Sequence, residues 1–461
     1  MVDTNIIHNL DNSNKWRQAQ CFVAFHWINL SVGLNLGLGT VQYDAFTNGQ
    51  DPLQLSEDEV TWVASIGFIS AILGHLLGGV VSNKLGRKTG ALICCPIFCA
   101  GFLFNGVGPT LTLLLVGKIL HGLANGMQHT ACASYYSEVT SPRIRTAVHC
   151  MAGVFNCVAI LLPVIVIRLG LSWRLVCYVG IVLPVLGFLH IRSAPESPAW
   201  LVMRGKVKEA LRSIVRLRGP DYDHCHELEY LERSYDVQVY GNDRRYHICR
   251  RLRDPDVWKP FLIVNALFII QVWSGLGPIR SFLVSIIRAT GTSFNAYSCA
   301  MAVSSFRIIG QFLSSILSMK FNRRPILIWS CFLLGLSWIG LGLSVDFNPY
   351  SSSLFDYSTN ISTKEIETEL MLSATQQDNQ ILNILPVIFL MLLIISFQAG
   401  LGPTPWVYGN ELYPLDLRSY LCAITSSLEP VQVFGFLPFT HTHKIIVPGI
   451  LCGCPFSFSE W

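Results

Sequence analysis

Two stretches far apart in the chain carry the same charged phrase. Tyr136–Thr146 reads YSEVTSPRIRT and Gly409–Ser419 reads GNELYPLDLRS. In each, an Arg follows a Glu by seven residues, Glu138 to Arg145 and Glu411 to Arg418, with a proline between them. Each phrase follows a long apolar run. Carboxylates and guanidiniums at the ends of apolar helices do one kind of chemistry: they pair, and so favour one arrangement of packed helices over another. A single screened pair contributes about 0–1 kcal/mol, so a cluster is needed to bias two states a few kcal/mol apart. Glu138, Arg145 and Arg87 are expected to form one cluster, with Lys88 beside it. Glu411, Arg418, Arg323 and Arg324 are expected to form its twin.

A second set of chemically capable residues lies within apolar stretches. A membrane-depth Gln is costly without a partner, so Gln271 is expected to face a site. Arg307 would cost at least about 2.5–3.5 kcal/mol in hydrocarbon, so it is expected to line a cavity. Its charge would suit an anionic group or a carbonyl-rich partner. Asn35, Gln128, Tyr135 and Asn156 suit hydrogen bonds between helices, with Asn156 kept as a candidate wall residue. His75, His121 and His129 are expected to be packed and hydrogen-bonded rather than to relay protons. Pro403 and Pro405 interrupt a helix and let its backbone line a cavity.

The elements that position these residues follow from composition. The chain has 461 residues, 51% hydrophobic and 13% charged, with mean hydropathy +0.45. A soluble domain carries about 25% charge. Ten apolar stretches, roughly 21–41, 60–82, 90–107, 109–134, 147–167, 174–191, 260–287, 297–318, 325–345 and 384–408, are long enough to cross a hydrocarbon core of about 30 Å. The expectation is an all-α polytopic membrane protein. Residues 419–439 begin an eleventh stretch that Glu429-Pro430 interrupts, and 445–458 is a short apolar run. Residues 1–20 are polar and the first apolar run is full-length, so it is expected to remain as a helix. Most of the fifteen cysteines lie in apolar runs, which suits packing rather than a metal or disulfide.

Charge distribution sets the expected orientation. The segment 192–259 holds fourteen of the thirty-three Lys and Arg, and further cations follow the second, fourth and eighth stretches. Residues 42–59 have none, and 346–382 has only Lys364. The positive-inside rule therefore puts the N-terminus in the cytosol. The acceptor triplet at Asn360 falls in a loop then expected outside, where it would be glycosylated.

The basic segment divides the chain into 1–191 with six stretches, a cytosolic helical segment 192–259, and 260–461. Each half repeats a basic turn after its second stretch and the Glu-to-Arg phrase after its fourth. Two six-helix bundles related by an axis along the membrane normal make a transporter architecture.

At these residues the chain resembles the sugar porter family of the major facilitator superfamily. GGVVSNKLGRK (Gly78–Lys88), PESPAWLVMRGKVKEA (Pro195–Ala210) and GLGPTPWVYGNELYPLDLR (Gly400–Arg418) look like its signature motifs. Within it, Glu138–Arg145 and residues 151–161 look most like insect facilitated trehalose transporters and their paralogues. The resemblance implies a six-plus-six bundle in the plasma membrane that moves trehalose or a hexose by alternating access. It implies that Gln271, Ser274 and the stacking face of Trp406 hold sugar, together with Arg307 and Asn156, and that Glu196 pairs with a cytosolic Arg.

Departures matter. Val272 and Gly277 stand where the family has site amides, Asn83 and Met319 where it has acids, and Lys118 and Ala199 where it has Arg. No Asp or Glu falls in the ten stretches, which favours uniport over proton coupling. The sequence has no nucleotide loop and no catalytic constellation, so no enzyme activity, cofactor or nucleic-acid partner is expected. Resemblance fades after about residue 426, so the last two helices are expected to be incomplete. A non-transporting sugar sensor, an inert truncated paralogue, or a carrier of another, anionic solute are the alternatives.

Overall fold

The computed structural model of the chain describes residues 15–47, 53, 55–108, 110–140, 142–219, 222–239, 254–289, 294–346, 380–413 and 417–442. Asn360 and the apolar run 445–458 lie outside them. The elements among the described residues are all helices, without strands.

The first half comprises α1 (Lys15–Thr47), α2 (Glu57–Leu85), α3 (Arg87–Val107), α4 (Leu111–Val139), α5 (Pro142–Arg168) and α6 (Trp173–Ser193). Helix starts are written locally. Ser56 caps α2, and Ser56 and Glu59 form a reciprocal capping box. Gly86, at φ 110°, makes the tight turn from α2 to α3. Three short helices, α7 (Pro198–Met203), α8 (Val207–Arg218) and α9 (His224–Val239), lie under the basic end of this half. They are anchored there by Trp200 Nε1 donating to Asn83 O at 2.8 Å and by Arg218 Nη1 donating to Val139 O at 2.9 Å.

The second half comprises α10 (Pro255–Trp273), α11 (Leu276–Ala289), α12 (Ala296–Lys320), α13 (Arg323–Asp346), α14 (Gln380–Ser396), α15 (Thr404–Leu412) and α16 (Arg418–Thr442). The stretch expected as one helix at 260–287 is split at Ser274-Gly275, where Gly275 adopts φ 80°. That at 384–408 is split by a π-helical turn, Phe397–Leu401. The expected interruption at Glu429-Pro430 does not occur: α16 runs through both residues. Prolines are tolerated inside membrane helices because neighbouring groups satisfy the freed carbonyl.

Among the described residues nine helical stretches are long and apolar enough to span a bilayer. Helix α4 is not one of them. Lys118, His121, Asn125 and Gln128 lower its apolar average, and its residues are largely enclosed by α2 and α3. Leu73, Leu189, Ile328 and Trp329 face outward, as lipid contact requires. The halves meet where α1 packs on α11, α2 on α16 and α5 on α12.

Within the first half, α1 and α5 approach at Gly33 and Gly37, one helical turn apart. A Cβ on Gly37 would lie 2.5 Å from the Ile160 carbonyl oxygen. Backbone cannot yield as a side chain does. Gly37→Val is therefore expected to force α1 from α5, at a cost of about 1–3 kcal/mol or more. The check is thermal unfolding of the purified protein in detergent; an unchanged Tm would contradict the close packing.

Candidate functional site

The two halves enclose a cavity of about 350 Å³. Its walls come from α1, α2, α4 and α5 on one side and from α10, α12, the π turn, α15 and α16 on the other. The helix breaks of the second half open onto it. Gln271 Nε2 donates to the Gly402 carbonyl at 2.6 Å, across the gap between π turn and α15. Its Oε1 is buried without a hydrogen-bond partner among the described residues. Trp406, half-buried, packs edge-to-face on Phe268, with centroids 4.7 Å apart, and lies 4.0 Å from the His129 ring.

Of the expected substrate residues, Gln271, Trp406, Arg307 and Asn156 line this cavity together. Ser274 does not. Its hydroxyl donates to Gln271 O at 2.6 Å, and its own carbonyl accepts from Trp338 Nε1 at 3.0 Å. It closes the end of α10. Val272 and Gly277 do line the cavity, so the missing amides are missing from its wall. The side chains of Arg280, Arg288 and Asn410 lie outside the described ones.

The first half contributes more than its sequence suggested. Gln128 Nε2 donates to Asn29 Oδ1 at 2.8 Å, and Asn29 Nδ2 to the Tyr136 hydroxyl at 3.0 Å, a chain along the cavity wall. Asn35, Gln42, Lys118, His75 and His129 also line it. Tyr135 points away, donating to Pro195 O at 3.0 Å, and Asn105 lies 3.2 Å from a His121 nitrogen. The readable signal was polar spacing: Asn35, Gly39 and Gln42 fall on one helical face.

The absence of membrane-depth carboxylates does not survive. Helix α1 extends beyond residue 41 to Thr47 and carries Asp44, fully buried, whose carboxylate accepts from the Tyr297 hydroxyl of α12. Glu429, on α16, lines the cavity. Asp44 lies just past the end of the first apolar stretch, and Glu429 within the eleventh, which was not counted among the ten.

The charge clusters form, with changes. Arg87 is 2% exposed, and its Nε and Nη2 reach Glu138 at 2.9–3.1 Å while Nη1 donates to Ser82 O at 3.1 Å. The side chain of Arg145 lies outside the described ones. Glu196 does not pair side chain to side chain as expected. It accepts the backbone N–H groups of Arg87 and Lys88, each at 3.0 Å, and so caps α3. Burial pushes the Glu196 carboxyl up, against the hydrogen bonds that hold it down. Lys88 Nζ instead donates to Arg192 O at 2.9 Å.

In the second half Arg323 pairs with Glu411, its Nη2 at 2.6 Å from Oε1. Arg324 is exposed, outside this pair. Arg418 is buried and its guanidinium donates to Tyr413 O at 3.3 Å, closing the turn before α16. Each pair thus braces its own half. Direct bonds between halves lie elsewhere, and one is buried between α5 and α12, where Gln311 Nε2 donates to Cys150 O at 3.0 Å. At the basic end Asn83 Nδ2 donates to Tyr420 OH at 2.6 Å. At the opposite end stand the Tyr297–Asp44 bond and Arg168 Nε donating to Ser298 Oγ at 3.0 Å.

Two helical halves around a shared polar cavity, with broken helices on one side, define a membrane transporter fold. Residues 21–432 match the family described as Sugar (and other) transporter, and the chain belongs to it. It is similar to human solute carrier family 2, facilitated glucose transporter member 6, with 27% identity over 434 residues, 91% of this chain and 82% of the relative. It is similar to a facilitated trehalose transporter of Apis mellifera ligustica, with 23% identity over 376 residues, 82% of this chain and 69% of the relative. Among solved structures, the proton:xylose symporter XylE bound to 6-bromo-6-deoxy-D-glucose superposes with TM-score 0.74 at 18% identity, covering 95% of this chain and 94% of that one. A partially occluded inward-open XylE from E. coli gives 0.68 at 17% identity, covering 94% and 96%. These likenesses show the fold.

The two charge pairs differ in burial. Side-chain exposure is 2% and 4% for Arg87–Glu138 but 29% and 21% for Arg323–Glu411. Removing one partner of a buried pair strands the other and costs about 3–5 kcal/mol, whereas a screened pair is worth about 0–1 kcal/mol. Glu138→Gln is expected to lower Tm far more than Glu411→Gln. Thermal unfolding of both variants checks this, and equal shifts would sink it.

Proposed function

We propose that the chain is a facilitative sugar carrier of the plasma membrane, N-terminus cytosolic, taking trehalose or a hexose across by alternating access. The observation that carries this reading is the cavity walled by both halves, which Gln271, with its unsatisfied side-chain oxygen, and Trp406 line together. A sugar needs both, hydrogen-bond partners for its hydroxyls and an aromatic surface for its ring. Alternating access requires the Asn83–Tyr420 bond and the Tyr297–Asp44 and Arg168–Ser298 bonds to break in turn. The intra-half pairs at Arg87 and Arg323 keep each bundle rigid meanwhile.

Uniport is the coupling mode we favour. Asp44 is engaged by Tyr297 across the halves. On the cavity wall, Lys118 has no carboxylate partner among the described residues whose proton could be exchanged. Glu429 is the group to test against this reading. A second reading, a sugar sensor that binds without transporting, draws on Val272 and Gly277 at the wall.

The test is uptake of labelled trehalose and glucose into oocytes, with surface abundance measured on the same cells. Saturable uptake that runs down either gradient and ignores external pH is expected. Trp406→Ala is expected to raise the half-saturating concentration roughly tenfold, equivalent to about 1.4 kcal/mol. Accumulation driven by a proton gradient and lost in Glu429→Gln would replace uniport with symport. Abundant surface protein that binds sugar without uptake would favour the sensor.

A further inference from the structure

We propose that the cavity wall built by α1 and α4 is an anion subsite, where the Lys118 ammonium, beside Asn35 and Gln42, takes the carboxylate of a sugar acid. This rests on the carrier reading above and names its substrate class.

Lys118 is 7% exposed and lines the cavity. Among the described residues it has neither a carboxylate within ion-pair distance nor a hydrogen-bond partner. Two other buried cations are matched by acids, Arg87 by Glu138 and Arg218 by Glu227, and buried Arg418 donates to the Tyr413 carbonyl. A buried ammonium without an anion is costly, and a charged ligand relieves that cost where a neutral one leaves it standing.

The space facing Lys118 is left open by sequence. The residue opposite is Gly39, where a Cβ would lie 3.9 Å from Nζ, so no side chain of α1 fills the gap. Asn35, Gly39 and Gln42 lie at i, i+4 and i+7 of α1 and share one face. Asn35 Oδ1 and both polar atoms of the Gln42 amide are buried without hydrogen-bond partners among the described residues. The subsite therefore offers one cation, with the enclosed amides of Asn35 and Gln42 on the same wall able to serve the second carboxylate oxygen and neighbouring hydroxyls once their side chains turn toward the ligand.

The rest of the cavity agrees. Its lining residues include two basic side chains, Lys118 and Arg307, and one carboxylate, Glu429, with His75, His129 and His149 beside them. A neutral sugar leaves this balance positive; a monoanionic sugar closes it. The remainder of the ring would extend toward Gln271 and Trp406 on the facing wall.

The experiment measures binding to the purified full chain in nanodiscs by ligand-induced shift of Tm, at constant ionic strength. Glucuronate is the probe, glucose the neutral comparison and acetate the free carboxylate. Glucuronate is expected to half-saturate at a concentration at least tenfold below glucose, with no comparable shift from acetate. Lys118→Met is expected to raise the glucuronate-to-glucose ratio of half-saturating concentrations at least tenfold, and Lys118→Arg to restore much of it. Gly39→Asp, which places a carboxylate beside the ammonium, is expected to raise the ratio as Lys118→Met does, and stands in for it if that variant does not fold. Glucuronate binding no tighter than glucose, a ratio unmoved in the variants, or an equal shift with acetate would overturn the proposal. Glucose uptake without glucuronate binding would overturn it and leave the carrier reading intact. Glucuronate binding without uptake of any sugar would do the reverse.

Discussion

In hydrocarbon, every backbone N–H and C=O must find its partner inside the protein. That constraint fixes where this chain is allowed to be irregular. Two stretches long enough to be single helices are broken instead, at Ser274-Gly275 and at Phe397–Leu401, and in both cases the break lies at the central cavity. Freed groups are re-satisfied there: Gln271 donates to Gly402 O, Ser274 to Gln271 O, and Trp338 to Ser274 O. The same exchanges leave the Gln271 side-chain oxygen buried without a hydrogen-bond partner among the described residues. A helix without the break would have spent its carbonyls on itself.

The cavity also explains why polar residues occur in helices that otherwise need to be apolar. Helix α4 falls short of the apolarity of a lipid-facing span, and α2, α3 and the cavity enclose it. The outer helices take the lipid contact in its place. Close approach of α1 to α5 at Gly33 and Gly37 sets the width of the wall, because each glycine stands against a carbonyl oxygen with no room for a methyl group. Packing thus decides which polar faces meet, and the polar faces decide what fits between them.

Much of this was legible in the sequence. Apolar length gave the spans, and the repeated phrases located the Arg87–Glu138 and Arg323–Glu411 pairs, because like positions in two related bundles take like partners. What the sequence hid has physical causes. Helix ends are blurred by charge, so α1 seemed to stop before Asp44 and α16 before Glu429. Whether a polar group spends itself on backbone depends on local geometry, so Ser274 read as a ligand residue and Glu196 as an ion-pair partner. The link at the basic end between halves is neutral, Asn83 to Tyr420, and a search for charge passes over it.

That neutrality has a consequence for motion. The charged pairs sit within the halves, and Arg87–Glu138 is nearly inaccessible to water. Opening such a pair would expose two desolvated ions to each other's loss, so it is unsuited to break in every cycle. A single hydrogen bond such as Asn83–Tyr420 contributes net only about 0.5–1.5 kcal/mol, and water replaces it when the halves part. The fold therefore separates two duties by strength. Arg87–Glu138 is a buried brace within the first half, Arg323–Glu411 a partly exposed one within the second, and the link between halves at the basic end is a weak neutral bond. At one position where the family has an acid, Asn83 makes the neutral bond to Tyr420, and the Arg87–Glu138 brace stands without that acid.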